Sequence, residues 1–175
     1  MDDARDRCLD SFHAHRPFLQ RAHHAAAELR LVERLPGGFV GGVDPSADMV
    51  ALAQARCPPS AAVQLEQGTA ASLPFPDERF AAVFSVHTLY FWTQPVAGLR
   101  EVWRVLRPAG RVLLGYRPRA DPAAAQFPPH IYRFYDPAEV EGMLAAAGFR
   151  EVASEEVLVG TGRVTITSAT KAAAA

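Results

Sequence analysis

Cysteine is scarce: Cys8 and Cys57 are the only two in 175 residues. They cannot build a disulfide framework and lack metal-ligand spacing, so a reducing compartment is expected. No charge of one sign is in excess. Eighteen Lys+Arg stand against 19 Asp+Glu, a net charge of -1, which leaves no broad cationic field for nucleic acid or an anionic membrane. No apolar stretch follows the acidic start Met1-Asp2-Asp3, so no secretory signal is expected. The longest run without Asp, Glu, Lys or Arg is Phe80 to Leu99, and His87, Thr88, Thr93, Gln94 and Pro95 interrupt it. It reads as a buried strand and the residues after it rather than a membrane span. The expectation is a cytoplasmic protein with no nucleic-acid and no membrane partner. With 49% hydrophobic and 21% charged residues, the length predicts one domain with a packed core.

Glycine is missing from residues 1–36, which hold one β-branched residue, Val32, and four of the six histidines. This is poor strand material. A helix is predicted over residues 17–35, where Leu19, Ala22, Ala26, Leu29, Val32 and Leu35 recur every three or four positions. Pro36-Gly37-Gly38 ends it.

After Gly38, strand and helix alternate. Residues 39–43 read as a short buried strand. Asp44-Pro45-Ser46 then opens a helix through about Arg56, stopped by Pro58-Pro59; proline fits the first turn, and Asp or Ser can cap free amides. Residues 62–66 and 80–86 are further strands. Pro95 starts a helix whose Val96, Leu99, Val102, Trp103 and Leu106 share one face, and Pro108 follows its end. Residues 111–116 form the next strand. Four prolines between Arg117 and Phe134 predict an irregular loop. Asp136-Pro137-Ala138-Glu139 is a capping-box start for a helix burying Val140, Met143, Leu144 and Ala147, with Gly148 at its left-handed cap. Residues 151–159 and 163–169 read as an antiparallel hairpin.

This order implies an α/β fold with a mostly parallel sheet closed by a C-terminal antiparallel hairpin. The expected division is an atypical helical segment over 1–36, an α/β domain over 37–171 and a disordered tail over 172–175. Ligands of such sheets bind beyond the carboxyl ends of the strands. Asp44, Gly68-Thr69-Ala70, His87 to Trp92 and Arg117 onward are therefore the residues to inspect. An acidic side chain ending a strand can accept hydrogen bonds from two ribose hydroxyls; it can equally serve only as a helix cap.

Gly42-Val43-Asp44-Pro45-Ser46 with Met49 resembles the second strand and following helix of class I S-adenosylmethionine-dependent methyltransferases, in their small-molecule "type 11" group. Gly68-Thr69-Ala70, Leu73-Pro74-Phe75-Pro76-Asp77 and Phe80-Ala81-Ala82-Val83 are similar to that group's loop and fourth strand. Leu99-Arg100-Glu101 and Arg104-Val105-Leu106-Arg107-Pro108-Ala109-Gly110-Arg111 are similar to its helix and the turn before its fifth strand. The resemblance covers about Pro36 to Arg150. It implies a three-layer Rossmann-like sheet, S-adenosyl-L-methionine as cofactor and a small-molecule methyl acceptor; the sequence leaves open whether copies of the chain form a homo-oligomer.

The resemblance also implies roles. Asp44 holds the ribose, Val43 or Met49 packs on the adenine, and Gly68, Thr69 and Ala70 lie at the adenine edge. Ser85, Val86 and His87 lie near the methionine part or the reacting methyl. His87 is the candidate general base, since imidazole titrates near neutral pH; the alternative is a strand-end histidine satisfied by a neighbouring carbonyl. Tyr90, Phe91 and Trp92 either wall a substrate pocket or pack in the core. Tyr132, Arg133 and Tyr135 fall where a lid forms, or pack. His13, His15, His23 and His24 have no carboxylate or thiol fixed beside them and read as a solvated helix face, not a metal site.

Four departures from the family pattern stand out. The glycine-rich loop after the family's first strand, where backbone amides approach the cofactor closely, is replaced by the glycine-free residues 18–27. Thr69 stands where an acidic residue binds the adenine amine, Ala81 replaces an Asp, and Ala109 replaces the first Gly of Pro-Gly-Gly. The family's first strand is thus expected to be missing, with residues 39–43 pairing with 80–86 or the N-terminal helix covering the gap. We expect residues 1–35 to come from a truncated or frame-shifted reading of a once complete gene, which the upstream nucleotides test. A non-catalytic relative, either a relic or the subunit of a complete partner, is the second reading. A nicotinamide-dependent oxidoreductase is the third, and it needs Gly-x-Gly-x-x-Gly, which is absent.

Overall fold

The computed structural model describes residues 39–56, 63–159 and 162–173. The helix expected over 17–35, its histidines, and the stop at Pro58-Pro59 lie outside them. The chain divides into two compact units, residues 1–69 and 70–175.

In the first unit, β1 (Val40–Asp44) and β2 (Val63–Gln67) pair in parallel from Val40↔Val63 to Asp44↔Gln67. Between them in sequence lies α1 (Ala47–Arg56). Parallel strands need such a crossover, because no tight turn can return the chain in the same direction. Val40, Leu65 and Met49 are buried. The Gln54 side-chain amide donates to the Leu65 carbonyl at 3.1 Å, tying α1 to β2. Pairing of residues 39–43 with 80–86 is not among the described ladders, in which β1 pairs with β2 along one edge.

The second unit holds β3 (Phe80–Val86), α2 (Pro95–Val105), β4 (Leu106–Tyr116), α3 (Pro137–Ala146), β5 (Arg150–Val159) and β6 (Gly162–Thr170). Its four strands run in the order β3-β4-β6-β5. β3 and β4 are parallel, and the expected hairpin β5–β6 adds two antiparallel ladders, β4–β6 and β6–β5. Leu99 and Val102 of α2 and Val140 and Leu144 of α3 pack in one core with Val112, Leu114 and Tyr116 of β4. Each such fully buried aliphatic contributes roughly 1.5–3 kcal/mol. Side chains alternate along a strand, so Leu113 and Phe84 point the other way and stay 37% and 44% exposed.

β4 begins five residues earlier than expected. Arg107 precedes Pro108, and the proline ring disfavours helical backbone at the residue before it. Leu106 already turns extended (φ -76°, ψ 138°) and pairs with Phe80. Leu106 therefore belongs to the strand and not to the helix face, while Trp103 on α2 is 36% exposed. Lys171, the one lysine of the chain, is buried beside it. Its Nζ lies 3.9 Å from the Trp103 ring centre and donates to the Leu106 carbonyl at 2.7 Å. A buried ammonium needs such partners.

The loop of residues 117–134 is not wholly irregular. Residues Pro122–Gln126 form a 3-10 turn whose start is capped by the Asp121 carboxylate, accepting from the Ala123 N–H at 2.8 Å. At α3, Glu139 accepts from the Asp136 N–H at 2.8 Å, and Gly148 closes the helix at φ +99°. A polar chain crosses the second unit. The Glu141 carboxylate can only accept, so Ser154 donates to it (2.7 Å), Thr167 to Ser154 (2.8 Å) and Tyr116 to Thr167 (2.8 Å).

The turn Arg107–Gly110 accounts for one departure from the family pattern. Ala109 adopts φ +60°, a left-handed conformation costing an L-residue about 1–2 kcal/mol. At Gly110 an added Cβ would lie 2.7 Å from the Arg107 carbonyl oxygen. Ala109→Gly is expected to raise unfolding free energy by about 0.5–1 kcal/mol, the relieved strain less the entropy glycine adds to the unfolded chain. Gly110→Ala is expected to lower it by more than about 1 kcal/mol. Urea denaturation of the two variants measures both signs.

Candidate functional site

In the first unit, Asp44 closes β1 half-buried, at the mouth of α1. Its Oδ1 accepts from the Ser46 N–H at 2.8 Å, and Ser46 receives the first helical bonds, from Met49 N–H (3.1 Å) and Val50 N–H (3.0 Å). The capping alternative is thus realised. One carboxylate oxygen accomplishes it, and among the described residues no ion pair engages Asp44. The Asp44 carbonyl also accepts from the Gly68 N–H at 3.1 Å, which sets the exits of β1 and β2 side by side. Thr69 is exposed and Gly68 half-buried. Of the two apolar candidates, Val43 is half-buried while Met49 is 7% exposed on the inner side of α1.

In the second unit, Ser85 and Thr88 share a hydrogen bond between their hydroxyls at the end of β3. His87 follows with φ +54°, a region where histidine is enriched among non-glycine residues. Its N–H donates to the Gly115 carbonyl at 2.8 Å, so the β3–β4 pairing itself fixes the turn. Nδ1 lies 2.8 Å from the Tyr90 hydroxyl, with the two rings stacked at 24°. The described ring partner of His87 is therefore a phenol. The Tyr90 oxygen also accepts from the Arg117 N–H at 2.5 Å, and burial pushes the phenol's pKa up.

The aromatics divide. Tyr90 and Tyr135 are buried, and Trp92 lies against α2 so closely that a Cβ on Gly98 would come within 2.9 Å of its ring. Phe91 is 49% exposed and lies tilted against half-buried Tyr132, ring centres 5.0 Å apart. Arg133 lies over Tyr135 at 5.3 Å. Phe91 and Tyr132 are thus the aromatic surface beside the β3 exit, and the others are packing.

Composition and periodicity gave no warning of one interaction. All five Arg104 guanidinium hydrogens are engaged: with Glu101 (2.9 Å twice), the Phe75 carbonyl (2.8 Å), Asp77 (2.7 Å) and the Leu73 carbonyl (3.0 Å). Glu101 also accepts from the Leu73 N–H at 3.0 Å. The clamp pins the loop Leu73–Asp77, just after Gly68-Thr69-Ala70, onto α2. The available signal was Glu-x-x-Arg, a helical i, i+3 ion pair.

A methyltransferase-domain family model matches residues 24–114, just over half of the chain. The chain belongs to that methyltransferase family. A methyltransferase-like relative, the uncharacterized methyltransferase YcgJ of Bacillus subtilis, is 37% identical over 103 residues, 57% of this chain and 40% of the relative. The uncharacterized protein Rv2003c of Mycobacterium tuberculosis is 36% identical over 121 residues, 64% of this chain and 41% of the relative. The chain thus spans about two fifths of the length of the curated relatives it matches. A solved S-adenosylmethionine-dependent methyltransferase of Thermotoga maritima, titled a possible histamine N-methyltransferase, superposes with a TM-score of 0.65 at 23% identity. The match covers 88% of this chain and 92% of that one. This likeness shows the α/β methyltransferase fold. S-Adenosyl-L-methionine is the cofactor that the methyltransferase family implies. A half-buried carboxylate at a strand end, with one oxygen oriented by a backbone N–H and no partner for the other among the described residues, has the acceptor chemistry that a vicinal diol such as its ribose needs. Among the described residues no group of His, Cys, Asp and Glu could hold a metal, and no helix is long and apolar enough to cross a membrane.

The methyltransferase's clamp carries a pH signature. The Arg104 hydrogen bonds, foremost, hold the Glu101 carboxyl below its ordinary 4.5. A depressed carboxyl contributes stability that is full above its unfolded value and lost as pH falls through the folded one. Glu101→Gln is expected to unfold about 1–2 kcal/mol more easily at neutral pH, the scale of charged hydrogen bonds partly screened by solvent. The gap to the natural chain should close as the pH falls below the ordinary carboxyl value of 4.5 and the depressed Glu101 carboxyl takes up its proton. Denaturant melts across that range measure it.

Proposed function

We propose that this chain transfers a methyl group from S-adenosyl-L-methionine to a small-molecule acceptor, as part of a cytoplasmic enzyme whose α/β domain runs over residues 37–171. The observation that carries the reading is Asp44, whose carboxylate closes β1 half-exposed with Oδ1 already oriented by the Ser46 N–H. A carboxylate held this way accepts from two neighbouring hydroxyls without first losing its own rotational freedom. Gly68 and Thr69, bound to the Asp44 carbonyl through the Gly68 N–H, form the edge against which an adenine lies, with Val43 on its face; Met49 supports that face from within α1. Ala70 continues the same loop.

When bound, the cofactor supplies a sulfonium methyl that needs no further activation, which leaves the chain to position and to exclude water. Ser85 and His87, at the exit of β3, are the residues proposed to face the reacting end. Phe91 and Tyr132 offer the acceptor an apolar surface. The second reading, a non-catalytic relative, is favoured by one observation: residues 1–36 contain no glycine, so no backbone there can approach a ligand as a glycine loop does.

Calorimetry with S-adenosylhomocysteine separates the two. The expected result is binding in about the micromolar range, weakened by more than about 1 kcal/mol in Asp44→Ala, the scale of a hydrogen bond to a charged group. Absence of binding by the natural chain would establish the non-catalytic reading.

A further inference from the structure

Arg117 follows the last residue of β4, beside the exit of β3, whose Val86 pairs with Gly115. Its guanidinium has five N–H donors and keeps its charge at any pH a protein meets. Among the described residues it makes one side-chain hydrogen bond, from Nη1 to Asp121 Oδ2 at 2.8 Å. The Arg104 side chain is exposed to nearly the same extent, 30% against 28%, yet it places all five donors on protein acceptors. Donors that are partly withdrawn from water and left without acceptors cost free energy.

Asp121 does not complete the set. Its Oδ1 accepts from the Ala123 N–H at 2.8 Å, and its carbonyl from the Ala124 N–H at 2.8 Å. The carboxylate is thereby fixed at the start of the turn Pro122–Gln126, where it orients the guanidinium through one nitrogen and leaves the other donors to a second acceptor. Charge favours an anion there. In residues 117–134 Asp121 is the one acidic side chain, against Arg117, Arg119 and Arg133.

The same turn leads to aromatic residues. Phe127 follows it, with its ring centre 4.9 Å from that of Tyr132. Tyr90 joins these rings to Arg117: its oxygen accepts from the Arg117 N–H at 2.5 Å, and its ring centre lies 6.0 Å from Phe91 and 6.1 Å from Tyr132. One tyrosine side chain thus links the arginine's backbone to the exposed ring of Phe91.

We propose that Arg117, oriented by Asp121, is a specificity-determining residue that binds the carboxylate of an aromatic carboxylic acid, with the apolar body of that molecule on Phe91 and Tyr132. That such an acid is the methyl acceptor rests on the methyltransferase reading above; the anion site stands on the geometry alone. A planar fork of N–H groups matches the two oxygens of a carboxylate, which an ammonium does not.

The test titrates the chain, labelled with nitrogen-15 arginine, with benzoate and separately with neutral benzamide, near pH 6, where benzoate is ionised. Arg117→Gln assigns the Arg117 Nε–H signal by its loss. The expected result is a saturable shift of that signal with benzoate, at least about tenfold weaker with benzamide, the scale of hydrogen bonds between charged groups. Followed on the neighbouring backbone amides, benzoate binding should weaken by a similar factor in Arg117→Gln and in Arg117→Lys. In Phe91→Ser, at an exposed position, it should weaken about threefold or more. No saturable shift with benzoate, equal binding of benzamide, or full binding by Arg117→Gln would overturn the proposal. A merely structural ion pair would lower the urea midpoint of Arg117→Gln and give no benzoate shift in the natural chain. No cofactor is added, so failure to bind S-adenosylhomocysteine and failure of this proposal are separate results.

Discussion

The second unit depends on one guanidinium. Arg104 projects from the last turn of α2 and gives three of its five donors to a loop with no secondary structure of its own, Leu73–Asp77, and the other two to Glu101. A loop rich in proline loses its backbone bonding partners, because two of its residues, Pro74 and Pro76, have no N–H. Its carbonyls must still be satisfied. Arg104 does this for Leu73 and Phe75, while Glu101 takes the one N–H at Leu73. Lysine, with three donors around a point charge, cannot reproduce that fork. Phe75, held from behind, can then sit buried against Phe80, ring centres 5.0 Å apart. The loop thereby delivers the chain to the start of β3 in a fixed place, and the end of β3 carries Ser85 and His87.

Much of this was legible. Elements whose cause is local appear where the residues require them: Pro95 at the start of α2, Glu139 on the Asp136 N–H, Gly148 in the left-handed cap, the hairpin β5–β6. Asp44 was legible both as a strand end and as a cap for the same reason, since a strand-to-helix exit needs an acceptor at that point. What escaped is non-local. The early start of β4 depends on Leu106 finding Phe80, 26 residues earlier in the chain, and periodicity on a helical face cannot see that competition. Arg104 meets its carbonyl partners across 29 and 31 residues. The partner of His87 lay only three residues away, at Tyr90, but a shared bond between them requires the β3 exit to turn back through a left-handed residue. Nothing in composition announces such a turn at a histidine.

Two non-glycine residues at positive φ invite comparison. Ala109 at φ +60° lies in the turn Arg107–Gly110, where the Ala109 N–H donates to the Lys171 carbonyl (3.1 Å) and the Lys171 N–H to the Gly110 carbonyl (2.8 Å). That strain serves the closure of the fold, and glycine would serve as well. At His87 the same conformation accompanies a different arrangement: the peptide N–H bonds the Gly115 carbonyl while the ring turns to Tyr90. Glycine would keep the path and lose the imidazole.

Asp44 and His87 share a design principle. Each is a chemically versatile side chain at a strand exit, and each has one of its two polar atoms already committed, Oδ1 to Ser46 and Nδ1 to Tyr90. The committed atom costs little, because a backbone N–H or a buried phenol is fixed by the fold in any case. In return each side chain has an orientation before any ligand arrives. A carboxylate or imidazole free to rotate would surrender that freedom on binding, and the loss would subtract from affinity.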